Sequence, residues 1–207
     1  MTRAAGDRAD TLHVVLLGAG SASRFGQPKQ LADVDGRPML ARSLDTALVF
    51  ANGRGNAVTV VLGAHAGRLA PLVGATTASM VLNPGFEEGI ASSIRMGIAC
   101  ASPSARGAMI LLADQVAVTA DDLRRLLARW EEDPARIVAA DYGSSYGAPA
   151  IFPRELFPEL ATLHGDRGAR TLMARHPDRV ARVAMPSAAI DVDTPADLGA
   201  RISHKRT

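Results

Sequence analysis

Apolar residues along this chain fall into short continuous runs, and the stretches between those runs place apolar positions at helical spacing. The runs Leu12–Leu17, Ala57–Leu62 (AVTVVL), Ala78–Leu82 and Ala108–Ala113 (AMILLA) are rich in Val, Leu and Ile and do not alternate with polar residues. Strands buried on both faces have that character. Between them, Pro38–Phe50, Gly67–Val73, Gly89–Cys100 and Asp121–Glu132 carry the helical period, and Asn52–Asn56 (NGRGN) reads as a turn. The second half continues with strands over Ile137–Ala140 and Ala148–Phe152, helices over Arg154–Leu160 and Ala169–Arg175, strands over Val180–Ala184 and Ala189–Val192, and a closing helix from Pro195. The alternation predicts an α/β fold of three layers, a mostly parallel sheet covered by helices on both faces. Ligands of such sheets sit outside the carboxyl ends of the strands.

Composition narrows the class. A chain of 207 residues with 47% hydrophobic and 21% charged positions has the length and balance of a single globular domain, read here as 11–204 behind a disordered lead over 1–10. The net charge of +2, with no block of five or more basic residues, argues against a nucleic-acid partner. No run of about eighteen apolar residues is present to span a membrane. Arg3 and Arg8 precede an apolar run too short for an export signal. Cys100 is the single cysteine, which rules out an internal disulfide, fits a reducing cytoplasm, and reads as helix-end packing. The histidines at 13, 65, 164, 176 and 204 lack metal-ligand spacing, so zinc is not expected. Trp130 reads as a core or rim contact, and the pairs Glu87–Glu88 and Asp121–Asp122 as helix N-terminal charge or solvated surface.

The densest chemistry lies in Leu16–Leu31 (LLGAGSASRFGQPKQL), where an apolar strand runs into Gly18 and Gly20 and then meets Arg24 and Lys29. Glycines at such a turn let backbone N–H groups approach a ligand closely. Of the 23 basic residues only Lys29 and Lys205 are lysines, and Lys205 lies in the polar tail. A compact ammonium on a flexible stem in a glycine loop suits a polyphosphate. Asp114 follows the run MILLA and projects into the same crevice, while Asp191 and Asp193 share one face of the last strand by the period of two. Thr194, Pro195 and Asp197 are explained by the start of the closing helix. A carboxylate or two with phosphate oxygens is the usual coordination of Mg²⁺. A dinucleotide-binding oxidoreductase would share Gly18 and Gly20, but Ser23 stands where its third glycine belongs, and Leu62 leads into Gly63-Ala64-His65 where an acidic residue is expected.

The loop is similar to the L-x-A-G-x-S-x-R-[MF]-G-x-x-K signature of the MobA-like nucleotidyltransferases, most closely to the molybdenum cofactor cytidylyltransferase branch. The resemblance continues through Asn83, Gly89, Ser92, Ser93 and Gly97 (NPGFEEGIASSIRMG), Leu112–Gln115 (LADQ), Gly147 and Pro149 (GAP), Gly165–Arg170 (GDRGAR) and Asp191–Leu198 (DVDTPADL). Gly18 departs from a common alanine and Val116 from a frequent proline. The resemblance implies a Rossmann-like nucleotidyltransferase fold in which Leu17, Gly18, Ala19, Gly20 and Ser21 wrap the nucleotide and the backbone at Ala19 and Gly20 reads the base. It implies that Lys29 and Arg24 contact the triphosphate, that Asn83 and Ser93 hold the nucleotide, and that Asp114 completes the catalytic set. Asp114 would bind Mg²⁺, with Mn²⁺ as a substitute, and either Asp193 or Asp191 would be the second carboxylate. Gly147, Pro149, Gly165, Asp166 and Arg170 would face the acceptor. The implied reaction moves CMP from CTP to the terminal phosphate of molybdopterin cofactor in the cytoplasm, releases pyrophosphate, and serves a recipient molybdoenzyme. A GTP-using enzyme with another phosphorylated acceptor, and a non-catalytic protein that binds and delivers the finished cofactor, are the alternatives.

Overall fold

Strand β1 (Leu12–Gly18) is buried along its whole length and faces two cores at once. Leu12, Val14 and Leu16 point into one and Val15 and Leu17 into the other, which is why the run shows no polar alternation. The computed structural model describes residues 12–21 and 28–190. In chain order β1 is followed by a hairpin of β2 (Asp33–Val34) and β3 (Arg37–Pro38), then α1 (Met39–Ala51), β4 (Ala57–Leu62), α2 (Ala66–Gly74), β5 (Ser79–Leu82), α3 (Ile90–Ala99) and β6 (Gly107–Leu112). Helix α4 (Ala120–Glu132), β7 (Ile137–Asp141), β8 (Tyr146–Pro153), α5 (Phe157–Leu160), α6 (Arg170–Arg175) and β9 (Val180–Ala184) complete the described strands and α-helices, with short 3-10 turns between and after them.

The seven-stranded sheet has the order β5-β4-β1-β6-β8-β7-β9. Only β8 runs against the others, pairing antiparallel with both β6 and β7. Helices α1, α2 and α4 pack on one face around Leu40, Leu44, Leu69, Leu123 and the fully buried Trp130; α3, α5 and α6 cover the other through Ile94, Ile98, Leu160 and Leu172. Gly97 lets α3 lie directly on β1, since a Cβ there would stand 2.3 Å from Val15 Cγ1. From β1 the chain steps outward to β4 and β5 and then returns across β1 to β6. The turns leaving β1 and β6 therefore diverge, and that switch point opens a crevice at the carboxyl edge.

Several expectations shift. The β2–β3 hairpin, turning through Asp35 (φ 55°) and Gly36 (φ 82°), carries no apolar run and is not visible in the hydrophobic pattern. Pro186–Ala189 forms a short 3-10 turn capped by Ile190 where the pattern predicts a strand from Ala189, and Asp191, Val192, Asp193 and the closing helix lie outside the described residues. Cys100 is exposed at the end of α3 instead of packed. Asp122 does what its position suggested, closing a capping box with Thr119 at the start of α4. Burial pushes its carboxyl up, but hydrogen bonds from the Thr119 backbone, Arg125, the Thr119 hydroxyl and Ser187 outweigh this and hold it below the usual range. No helix among the described residues is long and apolar enough to cross a membrane.

Candidate functional site

The crevice at the switch point is a cavity of about 440 Å³, lined by Leu17, Gly18, Ala19, Gly20 and Ser21 from the first turn and by Lys29, Ser93 and Asp114 from three other segments. Because Leu17 pairs with Leu112, the residues two steps beyond them, Ala19 and Asp114, leave the sheet side by side. Lys29 Nζ lies 2.9 Å from Asp114 Oδ2, with the side chains 12% and 30% exposed. Asp114 Oδ1 is buried and has no hydrogen-bond partner among the described residues. An acceptor oxygen left in that state costs about 1–3 kcal/mol unless a donor or cation meets it. Among the described residues no cluster of three or more His, Cys, Asp or Glu side chains offers a self-sufficient metal site. Beside Lys29 the hard donor is the Asp114 carboxylate, next to room for phosphate, which fits a cation that keeps water and substrate oxygens in its shell.

The turn is held from behind. Gln30, buried beside Lys29, donates its amide to the carbonyls of Gly18 at 3.1 Å and Gly20 at 2.7 Å. Ala64 N donates to Ala19 O at 3.1 Å and Ala113 N to Leu17 O at 3.1 Å. Gly63 allows this approach, since a Cβ there would meet Ala19 O at 2.8 Å and Phe86 Cβ at 2.6 Å. With these carbonyls turned away and satisfied, the polar surface of the turn is presented at the cavity through a fixed backbone.

Asn83 belongs to the supporting layer and not to the cavity wall. Its amide nitrogen donates to Ser92 Oγ at 2.8 Å and Ser93 Oγ at 3.0 Å, and its carbonyl accepts from Gly85 N at 3.0 Å. Ser93, the residue that reaches the cavity, is thereby fixed in orientation. Gly89 precedes α3 with φ +112°, and a Cβ there would stand 2.2 Å from Asp166 Oδ1. Glycine is required twice over, by conformation and by the approach of the 165–166 turn. The same junction is tied outside by Arg95, which grips both oxygens of Glu88 and donates to Leu163 O at 2.6 Å. The Arg95 hydrogen bonds hold the Glu88 carboxyl well below the ordinary value, at about 2, with His164 adding to the effect.

A second cavity of about 280 Å³ adjoins the first and shares Ile90, Leu112 and Asp166 with it. Its walls are largely apolar, including Ile94, Ile110, Phe152 and Met173, with Gln115, Tyr142, Asp166 and Arg170 as the polar side chains. Arg170 stacks over Tyr142 at 5.9 Å. Gln115 donates to Ala148 O at 2.8 Å and to Ala188 O at 2.8 Å, joining the end of β6 to β8 and to the 186–189 turn; Tyr142 also donates to Ala148 O.

Of the residues singled out in the sequence, Leu17 to Ser21, Lys29, Ser93 and Asp114 come together in the first cavity, and Asp166 and Arg170 in the second. Gly147 lies behind Arg170 and Tyr142, leaving them room, Pro149 is in the sheet beside Gln115, and Gly165 packs against Gly89. Arg24 and Asp193 lie outside the described residues. Gln30, Gln115 and Tyr142 received no role from the sequence. A glutamine beside a lysine has no distinctive spacing, and each of these roles depends on distant backbone atoms.

A cavity of about 440 Å³ at the switch point, with a lysine–carboxylate pair in its wall and a second cavity beside it, points to nucleotidyltransferases, enzymes that hold a nucleoside triphosphate next to an acceptor. Residues 14–180 match the MobA-like NTP transferase domain, and the chain belongs to that family. It is 31% identical over 172 residues to nicotine blue oxidoreductase of Paenarthrobacter nicotinovorans, covering 79% of this chain and 81% of that one. It is 30% identical over 167 residues to the purine catabolism protein PucB of Bacillus subtilis, covering 77% and 78%. The crystal structure of Rv0371c from Mycobacterium tuberculosis superposes with a TM-score of 0.78 at 32% identity, covering 94% of this chain and 99% of its own. A structure of Rv0371c in complex with manganese superposes with a TM-score of 0.75 at 29% identity, covering 95% of this chain and all of its own.

Proposed function

We propose that this enzyme transfers CMP from CTP to the terminal phosphate of molybdopterin cofactor and releases pyrophosphate. The observation that carries the transfer reading is the Lys29–Asp114 pair, 2.9 Å apart under the glycine turn and beside a second cavity. An acceptor phosphate oxygen attacks the α-phosphorus, a new P–O bond forms in line, and the bond to pyrophosphate breaks. The attacking phosphate is already an anion, so no general base is needed. Lys29 balances charge on the departing phosphates, while the backbone at Ala19 and Gly20, fixed by Gln30, orients the base. Asp114 would hold a divalent cation, Mg²⁺ or Mn²⁺, whose chemistry would be to neutralise the charge of the phosphates. Asp166, Arg170 and Tyr142 receive the acceptor.

The choice of CTP and of molybdopterin draws its support from the loop signature and the GDRGAR and LADQ segments. An oxidoreductase reading, prompted by the name of the Paenarthrobacter relative, meets an obstacle at the end of β4. Gly63 there is packed against Ala19 and Phe86, and no carboxylate follows β4 to bind a dinucleotide ribose. The test is to incubate the purified protein with Mg²⁺ and each of CTP, GTP, ATP and UTP, with and without molybdopterin cofactor, and measure pyrophosphate. Release with CTP and acceptor together is the expected result; release with GTP alone among the four would reassign the base, and hydride transfer without pyrophosphate would replace the reaction.

A further inference from the structure

The pair at the floor of the first cavity has a consequence for the order in which ligands bind. Lys29 Nζ and a divalent cation would both draw on the charge of one carboxylate, and the ammonium sits 2.9 Å from Asp114 Oδ2. Both side chains are largely withdrawn from water, so a bare Asp114 would be a partly buried, unbalanced charge. Among the described residues no neighbouring carboxylates, histidines or cysteines join it in a cluster of three or more, and one carboxylate is a poor site for a hard divalent cation without phosphate oxygens. Lysine, a point charge on a four-carbon stem, can leave one anion for another nearby without rebuilding its surroundings.

From these facts we infer that Lys29 is a stand-in for the cation. It neutralises Asp114 while the cavity is empty, keeps divalent metal from binding there alone, and moves to the triphosphate when nucleotide brings the cation in. Each charge then has a partner before and after the exchange: Asp114 passes from ammonium to cation, and the ammonium passes from carboxylate to phosphate. Metal and nucleotide binding become positively coupled through one side chain. This rests on the proposed role of Asp114 in holding the cation, and the test separates the two.

Mn²⁺ binding is measured by electron paramagnetic resonance on the nucleotide-free protein and again with a non-hydrolysable CTP analogue. Lys29→Met is expected to bind Mn²⁺ about tenfold more tightly than the wild type without nucleotide, and to bind the analogue more weakly. Adding Asp114→Asn to Lys29→Met is expected to abolish the gain. Equal or weaker Mn²⁺ binding by Lys29→Met, in a background where Asp114→Asn alone loses the metal, overturns the stand-in role and leaves Asp114 as a ligand. Unchanged Mn²⁺ binding by Asp114→Asn with the analogue present overturns the metal reading of Asp114 and this inference with it. A second measurement uses the unmodified protein: with only Lys29 and Lys205 in the chain, ¹⁵N-labelled lysine yields two side-chain signals. Mg²⁺ alone is expected to leave the Lys29 signal in place, and Mg²⁺ with the analogue to move it. A shift with Mg²⁺ alone at the same concentration overturns the proposal.

Discussion

The two adjoining cavities are built on different plans. The first sets one contiguous turn, Leu17 to Ser21, against Lys29, Ser93 and Asp114, so that backbone atoms and fixed charges meet in one place. The second takes single side chains from α3, β6, β8, the 165–168 turn and α6, and most of its wall is apolar. Under the proposed function, the backbone and point charge of the first cavity would serve any triphosphate, and the scattered side chains of the second would set acceptor choice. Substitutions in the two should therefore separate cleanly.

The largest effect is expected at the floor of the first cavity. Asp114→Asn and Lys29→Ala should each lower turnover by roughly 10² to 10³ with far-UV circular dichroism unchanged; near-normal turnover at saturating substrate would remove them from the chemistry. Gln30→Leu should leave the Gly18 and Gly20 carbonyls without their donor, cost about 1–3 kcal/mol in urea unfolding and raise the KM for nucleotide. An unchanged nucleotide KM would break the claim that the turn must be held from behind. Arg170→Ala should raise the KM for acceptor about tenfold and leave nucleotide affinity alone. Equal losses for both substrates would mean that the cavities do not divide the labour.

The smallest effect belongs to the clasp outside. Glu88 is depressed to about 2 from an ordinary 4.5 because Arg95 grips it, so its contribution is present above about pH 4.5 and fades as pH falls toward 2. Glu88→Gln should flatten that acid limb of stability and leave neutral-pH turnover nearly unchanged. A carboxyl titration near 4.5, followed by NMR, would show that the clasp does not form.

The pieces of the first region could be read from the chain because each has a local signature, although their meeting has none. An apolar run ending at Gly18 and Gly20 announces a buried strand entering a tight turn, and an aspartate at the end of AMILLA announces a carboxylate at a strand tip. The second could be read only in part. Asp166 and Arg170 were marked by a motif, but Tyr142 and Gln115 act through the Ala148 carbonyl, an atom that no sequence pattern singles out. Asn83 was drawn to the nucleotide by the same motif logic, yet its amide is spent on Ser92 and Ser93.

What the sequence by itself determined is the alternation of buried strands and amphipathic helices, and with it a sheet whose carboxyl edge must hold the ligand, since side-chain period and burial on both faces are local properties. Tertiary structure alone decided that β8 reverses, that the chain recrosses β1 on its way to β6, and that Lys29 meets Asp114 across 85 positions. Strand order and ion pairing depend on which surfaces pack together, and packing is settled only when the whole sheet has closed over both cores.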